Sequence, residues 1–330
     1  MRVVRVVHET PNAVSLYLEP LDGQPLTHVA GQFLSFDVRI EGTKLRRAYS
    51  LANLPGEPPF VTVKRVAGGR VSNALQDLRE GARLDVLGPA GSFTLEPRAE
   101  RARTYVLIAG GSGITPIFSI LQTVLKREPR SRVVLVYGNR NAAETIFRER
   151  LERLRSDRLV VRHVLDDDEG PLTPETTARV LDELEGALRT KLPSDAAFYL
   201  CGPTPMMDAV RGVLRARGVS ELHEEKFVSP ESRAEVAATL PQDCRVTLEG
   251  RTRDVAVKAN QTLLDAGLAV GLPMPFSCAM GGCAACKVRL VEGEVVADEP
   301  NCLTDAEKQE GWVLACCSRP RTACHIEVPS

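Results

Sequence analysis

Three closely spaced cysteines constrain this chain more than any other feature. Cys278, Cys283 and Cys286 form a C-x4-C-x2-C run, and Cys316 follows thirty positions after the last of them. The residues within the run are mostly small, so the backbone can fold closely over a compact group and direct N–H groups toward sulfur. This spacing is that of a plant-type [2Fe–2S] cluster, in which four thiolates hold two irons. The sequence therefore predicts a loop-bound cluster and chemistry that moves one electron at a time.

Structural zinc and disulfides are the alternative uses of these cysteines. Zinc sites usually present two separate C-x2-C-like pairs, whereas here a triplet faces one distant cysteine. A disulfide framework is disfavoured because nine cysteines is an odd number and 330 residues can form a core without staples. The doublet Cys316–Cys317 leaves the fourth ligand open. Leu314-Ala315-Cys316 resembles the hydrophobic-x-Cys that ends this strand in plant-type ferredoxin domains, which favours Cys316. We expect the other nearby cysteines to be bystanders: Cys244, Cys302, Cys317 and Cys324.

Length and charge narrow the class of protein. A chain of 330 residues suggests two or three domains, and a formal net charge of −1 without a basic tract gives no support for nucleic-acid binding. The N-terminal residues 1–9 alternate like a strand and lack the apolar block of a signal peptide. No apolar run approaches the ~18 residues needed to span a bilayer. These features predict a cytoplasmic protein that keeps its cysteines for metal.

The chain divides into three segments and a linker. Residues 1–100 alternate as short strands between Gly and Pro turns, which predicts an antiparallel β-barrel. Residues 101–228 alternate apolar strands with helical stretches, which predicts an α/β domain with a parallel sheet. The polar stretch 229–241 is expected to be a linker. Residues 242–330 combine strand pairs with a short helix capped by Asn260, which predicts an α+β domain. Their cysteine motif resembles that of plant-type ferredoxin domains, which implies a ferredoxin domain of the β-grasp type.

Two turns of the middle segment follow apolar strands. Gly110–Pro116 is glycine-rich, and glycines before a helix N-terminus let the backbone approach a pyrophosphate. This turn departs from G-x-G-x-x-G, because Pro116 stands where the third glycine would be, so alone it is as consistent with an ordinary tight turn. A second turn, Cys201–Met207, would lie at the same carboxyl edge of the sheet, where such folds bind ligands. Together the two turns predict a dinucleotide site.

The first segment completes a recognisable order of motifs. Arg47-Ala48-Tyr49-Ser50 gives R-x-Y-S, and Gly69–Ser72 gives G-x-x-S before a helix. Followed by GGSGITP and CGP, these motifs resemble the ferredoxin–NADP reductase superfamily over essentially the whole chain. The cysteine motif narrows the resemblance to members with their own ferredoxin domain, such as the reductase components of Rieske-type and diiron oxygenases.

The resemblance implies roles for individual residues. Arg47 would bind the flavin phosphate, Tyr49 would pack on the isoalloxazine, and Ser50 would lie near its reactive N5. Thr115 would lie between flavin and nicotinamide, and Cys201 beside the nicotinamide; Tyr49, Ser50 and Cys201 are the candidate catalytic residues. The set implied for FAD is Arg47, Ala48, Tyr49, Ser50, Lys64, Gly69, Val71, Ser72, Thr115 and Phe227. The set for NAD(P) is Gly110, Gly111, Gly113, Pro116, Asn139, Arg140, Cys201, Gly202, Pro203 and Met206. The cluster ligands would be Cys278, Cys283, Cys286 and Cys316.

Structural explanations stay open for three of these residues. Tyr49 is also consistent with strand packing, Cys201 with a buried core thiol, and Phe227 with an anchor for the linker.

A hydride carries two electrons, whereas the cluster accepts one, so a flavin must stand between nicotinamide and cluster. We therefore expect the protein to be an NAD(P)H-dependent reductase that passes single electrons through FAD and a [2Fe–2S] cluster to a partner protein. In the oxygenase reductases that the chain resembles, this partner is an oxygenase. A redox sensor and an electron-transfer subunit of a dehydrogenase are the alternatives.

Two finer expectations concern the nucleotide and the partner. The second strand of the middle segment ends near Asn139-Arg140, with no acid until Glu144, which favours NADPH over NADH. The stretch from Glu292 to Glu310 carries seven carboxylates and one lysine, and we expect this face to dock on a basic patch of the acceptor. A solvated surface without a partner is the alternative.

Overall fold

The computed structural model describes most of the chain as two compact units, Met1–Phe227 and Val228–Ser330. The described residues are 1–41, 43–188, 196–227, 239–299 and 301–329. Most of the predicted linker, residues 229–238, lies outside them. None of the helices in these ranges is long and apolar enough to cross a membrane.

The first unit begins with an antiparallel barrel. Its elements are β1 (Arg2–Thr10), β2 (Ala13–Glu19), β3 (Phe33–Ile40), β4 (Thr43–Ser50), β5 (Phe60–Lys64), α1 (Arg70–Gln76) and β6 (Asp85–Ala90). They form two three-stranded sheets, in the orders β1-β2-β5 and β4-β3-β6. Single bridges, Leu51 to Val61 and Arg2 to Arg83, join the two sheets edge to edge and close the barrel. Alternate residues such as Leu16, Leu34 and Phe36 are fully buried in its core, as the period of two predicts.

A five-stranded parallel sheet completes the first unit. Its elements are β7 (Thr104–Gly110), α2 (Ile114–Arg127), β8 (Arg132–Asn139), α3 (Arg148–Arg153), β9 (Leu159–Leu165), α4 (Asp166–Glu169), α5 (Pro174–Leu188), β10 (Ala197–Gly202), α6 (Thr204–Ala216) and β11 (Leu222–Lys226). The strand order is β11-β10-β7-β8-β9, so the chain reverses direction across the sheet between β7 and β10. Open α/β sheets bind ligands at such a switch point, and both predicted turns lie there.

Helix α2 fastens the barrel to the parallel sheet. Ser119 donates a hydrogen bond to the Asn53 carbonyl (2.7 Å), and the Gln122 amide donates to that of Ala52 (3.1 Å). Barrel residues such as Ala52 belong to the same buried cluster as Ile117 of this helix. Barrel and sheet therefore share one core.

The second unit is an α+β fold with its own core. Its elements are β12 (Gln242–Leu248), β13 (Arg251–Val257), α7 (Leu263–Ala269), β14 (Lys287–Glu292), β15 (Val295–Ala297), α8 (Asp305–Gln309), β16 (Trp312–Leu314), β17 (Ser318–Pro320) and β18 (Cys324–Val328). The main sheet has the order β13-β12-β18-β14-β16, in which β12 and β18 run parallel, and β15 pairs with β17. Buried residues of α7, among them Leu263 and Leu264, share a cluster with inward-facing residues of the main sheet.

The predicted N-cap of α7 is wrong by two residues. The hydroxyl of Thr262, and not Asn260, accepts the hydrogen bond from the backbone N–H of Asp265 (3.1 Å). Asn260 has a φ of +60°, and its side chain instead accepts from the backbone N–H of Thr239. Both residue types favour caps, and the tertiary contact with Thr239 decides between them.

The packing at the switch point gives a stability prediction. A Cβ at Gly113 would overlap the backbone carbonyl of Cys201, which cannot move without displacing β10. Gly113→Ala should therefore lower the free energy of unfolding by about 1–3 kcal/mol, the usual cost of overpacking. Gly212→Ala in α6 is the matched control, because nothing lies within 4 Å of its Cβ position and alanine favours helix by about 0.5–1 kcal/mol. Denaturant titration of both variants checks the opposite signs; equal stability of the two would contradict the packing.

Candidate cofactor sites

The two turns at the switch point interlock through glycines. A Cβ at Gly110 would lie 2.5 Å from Met206 Sδ and 2.8 Å from Pro203 Cδ. A Cβ at Gly202 would lie 2.6 Å from Met206 Cε and 3.1 Å from the Cα of Gly110. With Gly113 against Cys201, these glycines allow turn to pack on turn. The predicted nucleotide residues of both turns are thus brought together at the carboxyl edge.

Two side chains from outside the glycine turn hold or face it. The hydroxyl of Tyr137 on β8 donates to the carbonyl of Gly111 (3.1 Å), which has a φ of +51°. On the barrel side, Lys64 Nζ lies 3.8 Å from the Cβ position of Gly111 and 3.3 Å from a carboxylate oxygen of Glu144. The family resemblance implies a flavin contact for Lys64, and its ammonium also faces the turn predicted to bind the nucleotide.

Thr115, Pro116 and Cys201 are buried at the start of α2 and the end of β10. The Thr115 hydroxyl donates to the Ser112 carbonyl (3.1 Å), which fixes the turn. Pro116 lies in the first helical turn, where its missing N–H has no partner to lose. Burial raises the pKa of the Cys201 thiol well above its usual range, and the carboxylate of Glu225 on β11 raises it further. Burial therefore disfavours the thiolate form of Cys201.

The predicted flavin strand is β4. Arg47 and Tyr49 lie on one face of the strand, and Ala48 and Ser50 on the other, because successive side chains alternate. The Tyr49 ring packs edge-on against Phe36 (centroids 5.7 Å apart, 71° between planes) and stays partly exposed. Ser50 is buried. Strand packing of Tyr49 and a role beside an isoalloxazine are thus both compatible with this placement.

The turn before α1 is too tight for any residue but glycine at position 69. A Cβ there would overlap the Ser72 hydroxyl and lie 2.9 Å from Val66 Cβ. Ser72 accepts a hydrogen bond from the backbone N–H of Val66 (3.3 Å) and donates to the Gly69 carbonyl (3.3 Å), so it braces the turn. Val71 is fully buried in the barrel core. Only its backbone, and not its side chain, can contact a cofactor.

The carboxyl ends of β8 and β9 bring an arginine against several acids. Arg140 is exposed and lies 4.0 Å from Glu144, while Asn139 before it is buried. The Arg140 carbonyl accepts from the backbone N–H of Asp167 (3.0 Å). Burial raises the pKa of Asp166, and the neighbouring carboxylate of Asp167 raises it further. These two aspartates follow the third strand of the sheet, which lies next to the second.

The other predicted residue, Phe227, follows β11 at the end of the first unit and is 45% exposed. It is not a buried anchor.

The cysteine loop of the second unit curls its backbone N–H groups onto sulfur. Met280 and Gly282 N–H each donate to Cys278 Sγ (3.4 Å), and Gly281 N–H donates to Cys316 Sγ (3.1 Å). Positive φ angles at Ala279, Gly281 and Ala284 produce this curl. Such N–H···S bonds stabilise negative charge on sulfur, which suits thiolate ligands.

The four predicted ligand thiols lie as two interacting pairs. Cys278 pairs with Cys283, and Cys286 with Cys316. A hydrogen bond from the Cys278 thiol lowers the pKa of Cys283 to about 6, and one from the Cys316 thiol lowers the pKa of Cys286. The four sulfurs therefore lie together at one loop, as a single group bound by all four requires. Thiolates are the ligands that iron–sulfur clusters require.

The side chains of Cys316 and Cys317 point in different directions. Cys316 reaches the loop, as above, whereas the Cys317 thiol lies in the core and donates to the Leu314 carbonyl (3.7 Å). Cys244 and Cys324 are paired in register on β12 and β18, and Cys302 donates its N–H to the Gly281 carbonyl (2.8 Å).

Models of three protein families match the chain in sequence order. The oxidoreductase FAD-binding domain matches residues 7–95, the oxidoreductase NAD-binding domain 107–212, and the 2Fe-2S iron-sulfur cluster binding domain 246–321. These ranges correspond to the barrel, the parallel sheet and the α+β unit.

Relatives are similar to this chain across all three parts. One subunit of the 1,2-phenylacetyl-CoA epoxidase of Escherichia coli (strain K12) is 34% identical, with 98% of this chain and 95% of the relative aligned. The ferredoxin reductase component of the 3-ketosteroid-9-alpha-monooxygenase of Mycobacterium tuberculosis (strain ATCC 25618 / H37Rv) is 36% identical, over 98% and 93%. The chain belongs to the ferredoxin–NADP reductase superfamily, as a three-domain reductase. The structure of phthalate dioxygenase reductase matches 99% of this reductase and 97% of its own chain, at a TM-score of 0.67 and 26% identity.

The reductase is thus a flavoprotein with FAD, NAD and 2Fe-2S domains. The residues fit these groups on three observations: the interlocked glycine turns with Lys64 above them, the tight Gly69 turn, and the sulfur-directed N–H groups of the cysteine loop. When bound, FAD accepts a hydride and releases electrons singly, and the cluster carries one electron.

Sequence reasoning missed two contacts between residues that lie far apart in the chain. Glu144 reaches Lys64 over 80 positions, and Tyr137 holds Gly111 over 26. Both contacts depend on tertiary packing, which no local pattern reveals. An acid four residues after Arg140 was visible in the sequence, but its partner on the barrel was not.

The cysteine geometry gives a prediction for the fourth ligand. Cys316→Ala should lose the visible absorbance of the cluster and most of its iron, because the sulfur opposite Cys286 is removed. Cys317→Ala should keep both and be moderately destabilised, since its thiol lies in the core. Iron content and absorbance of the purified variants check this. A cluster retained in Cys316→Ala and lost in Cys317→Ala would show that Cys317 is the fourth ligand.

Proposed function

We propose that this reductase is the electron-transfer component of an oxygenase system: it takes a hydride from a reduced nicotinamide nucleotide and delivers single electrons to a partner oxygenase. The observation that carries the proposal is the order of FAD, NAD and 2Fe-2S domains in one chain, shared over nearly the full length of relatives named as monooxygenase or epoxidase subunits. The substrate that is finally oxidised is chosen by the partner oxygenase and not by the reductase.

The residues of the first unit bind and orient. Lys64 and the Gly110–Gly113 turn would hold the nucleotide pyrophosphate, with the ammonium offsetting its charge. Cys201, a neutral thiol at the end of β10, would lie beside the nicotinamide, and Ser50 near the flavin N5, where a hydroxyl can donate a hydrogen bond. None of these side chains needs to abstract a proton from carbon. Their work is alignment and exclusion of water.

In the second unit, Cys278, Cys283, Cys286 and Cys316 would hold the cluster, and the loop N–H groups would stabilise its negative charge. A redox sensor and a dehydrogenase subunit are the competing functions. Among the described residues, no feature favours either of them over the reductase.

For the nucleotide, the acids near Arg140 support NADH rather than NADPH. Arg140 favoured NADPH in the sequence, but Glu144, Asp166 and Asp167 surround its end of the sheet. A 2′-phosphate placed there would meet like charges, whereas a ribose 2′-hydroxyl can donate to a carboxylate. The sequence expectation depended on the second strand alone, and the two aspartates follow the third.

The predicted acidic docking face is smaller than its sequence suggests. Three of its seven carboxylates hold cations of the second unit: Asp298 pairs with Arg319 (2.6 Å), Glu299 with Lys308 (2.9 Å) and Glu307 with Lys287 (3.0 Å). Their charges are largely offset within the unit. Glu292, Glu294, Asp305 and Glu310 are left as the carboxylates proposed to steer an acceptor.

The proposed location is the cytoplasm, where thiols stay reduced for cluster assembly.

The division between hydride and single electrons can be tested with a one-electron acceptor. The reductase should reduce cytochrome c rapidly with NADH, because electrons leave through the cluster. Cys316→Ala should still show flavin bleaching by NADH at a normal rate but reduce cytochrome c at least tenfold more slowly. Stopped-flow absorbance measures both steps. Slow turnover of the fully loaded wild-type protein would favour the sensor.

The nucleotide proposal predicts a higher kcat/KM for NADH than for NADPH, by tenfold or more. Asp166→Asn combined with Asp167→Asn should raise kcat/KM for NADPH, because two like charges near its 2′-phosphate are removed. Asp182→Asn on α5 is the control, since that carboxylate pairs with Arg217 on the helix surface. A wild-type preference for NADPH would restore the original expectation.

A further inference from the structure

An arginine of the parallel sheet's α3 is inserted into the wall of the barrel. The guanidinium of Arg150 donates to a carboxylate oxygen of Glu9 on β1 (2.7 Å), whose side chain is only 8% exposed. Its Cζ also lies 4.9 Å from the ring centroid of Phe60 and 6.0 Å from that of Tyr17, both in the barrel. Phe147, at the start of α3, is a third ring at 5.3 Å. Arg150 therefore joins the two halves by charge and by cation–π contact.

The barrel side of this contact is itself braced. Glu9 accepts a second hydrogen bond from Ser15 (2.6 Å), and the Ser15 and Thr62 hydroxyls are hydrogen-bonded to each other (2.8 Å). The rings of Tyr17 and Phe60 are stacked at 4.8 Å, and Phe60 meets Phe147 edge-on at 6.0 Å. Such a surrounded guanidinium has few alternative positions, so it transmits the position of α3 to β1 and β5.

The same segment holds β5 at both ends. Glu144 pairs with Lys64 at the end of β5, and Arg150 packs on Phe60 at its start. Between them, Val61 bridges to Leu51, the residue directly after Ser50 of the flavin strand. A second path from the parallel sheet to the predicted flavin strand, beside that through α2, therefore runs through β5.

The Lys64–Glu144 and Arg150–Glu9 attachments would respond differently to a bound nucleotide. Lys64 faces Gly111, so a pyrophosphate at that turn would compete with Glu144 for its ammonium. Arg150 is held by a buried carboxylate and three rings within the wall between barrel and sheet. The Arg150 contact, like the α2 hydrogen bonds to Ala52 and Asn53, is thus an attachment that survives nucleotide binding.

We propose that Arg150 is a positioning residue for hydride transfer: through Glu9 and Phe60 it fixes the parallel sheet on the barrel at the spacing that aligns nicotinamide with flavin. The inference rests on the proposed function, which requires both cofactors in the first unit. Hydride transfer depends steeply on such alignment, and a displacement of about 1 Å can cost about 10²-fold in rate.

The test compares Arg150→Met with a matched control. Methionine keeps much of the apolar length but removes the charge and the planar donors. Arg153→Met changes the next turn of the same helix, where the arginine is exposed and pairs with Glu149 (2.8 Å). At saturating NADH, the limiting rate of flavin reduction should fall about 10- to 100-fold in Arg150→Met and stay unchanged in Arg153→Met. Flavin reduction by dithionite, which needs no nicotinamide alignment, should be unchanged in both.

A second variant and a second readout cover loss of folding. Glu9→Gln keeps the shape of the partner and should slow flavin reduction by NADH severalfold. The double variant Glu9→Gln with Arg150→Met should be no slower than Arg150→Met alone, because both changes remove the same contact between Arg150 and Glu9. In the purified holoprotein, the double variant should lower the midpoint of thermal unfolding by less than the sum of the two single changes.

Wild-type rates in Arg150→Met and Glu9→Gln, or fully additive losses in the double variant, would overturn the inference. An equal slowing of the dithionite reaction would overturn it too, since the flavin site itself would then be damaged. If NADH fails to reduce the wild-type flavin, the proposed function fails instead.

Discussion

The contact of Gly113 with the backbone of Cys201 is the constraint on which the first unit depends. It sets how closely the start of α2 approaches the end of β10, at the point where the sheet order reverses, and only a residue without a Cβ permits it. Because α2 begins at this turn, the same contact fixes where Ser119 and Gln122 meet the barrel. Those two residues bind carbonyls of Asn53 and Ala52, just after the flavin strand. One close approach thus locates both cofactor regions.

The second unit depends on a different constraint, the direction of backbone N–H groups in the cysteine loop. Residues 279, 281 and 284 adopt positive φ, a conformation that costs energy for the two alanines. The cost is accepted because it aims N–H groups at sulfur, where negative charge must be stabilised. A loop of larger residues could not curl so tightly over a metal group. The small residues of the motif are therefore as informative as its cysteines.

Much of this organisation could be predicted from local patterns, and the rest could not for a physical reason. Periodicity and cysteine spacing predicted the barrel, the parallel sheet and the loop, because these depend on neighbours in sequence. The Lys64 ammonium is held by Glu144, which is distant in sequence. The charge at the predicted nucleotide edge of the sheet depends on Asp166 lying near Arg140. The side chain of Val71 points inward because it packs in the barrel core. Each is a consequence of tertiary neighbours. Even the cap of α7 was decided by a contact between Asn260 and Thr239.

The distribution of cores matches the demands of the two kinds of transfer. Moving a hydride requires two carriers in contact and in line, and barrel and sheet accordingly share one buried cluster that contains residues of both. Passing a single electron requires no bond to form between carriers, so its carrier does not have to be built into that core. The second unit has its own core around the loop that holds the cysteines. This shared cluster thus serves the step that needs alignment, and Arg150 contacts two of its rings, Phe60 and Phe147.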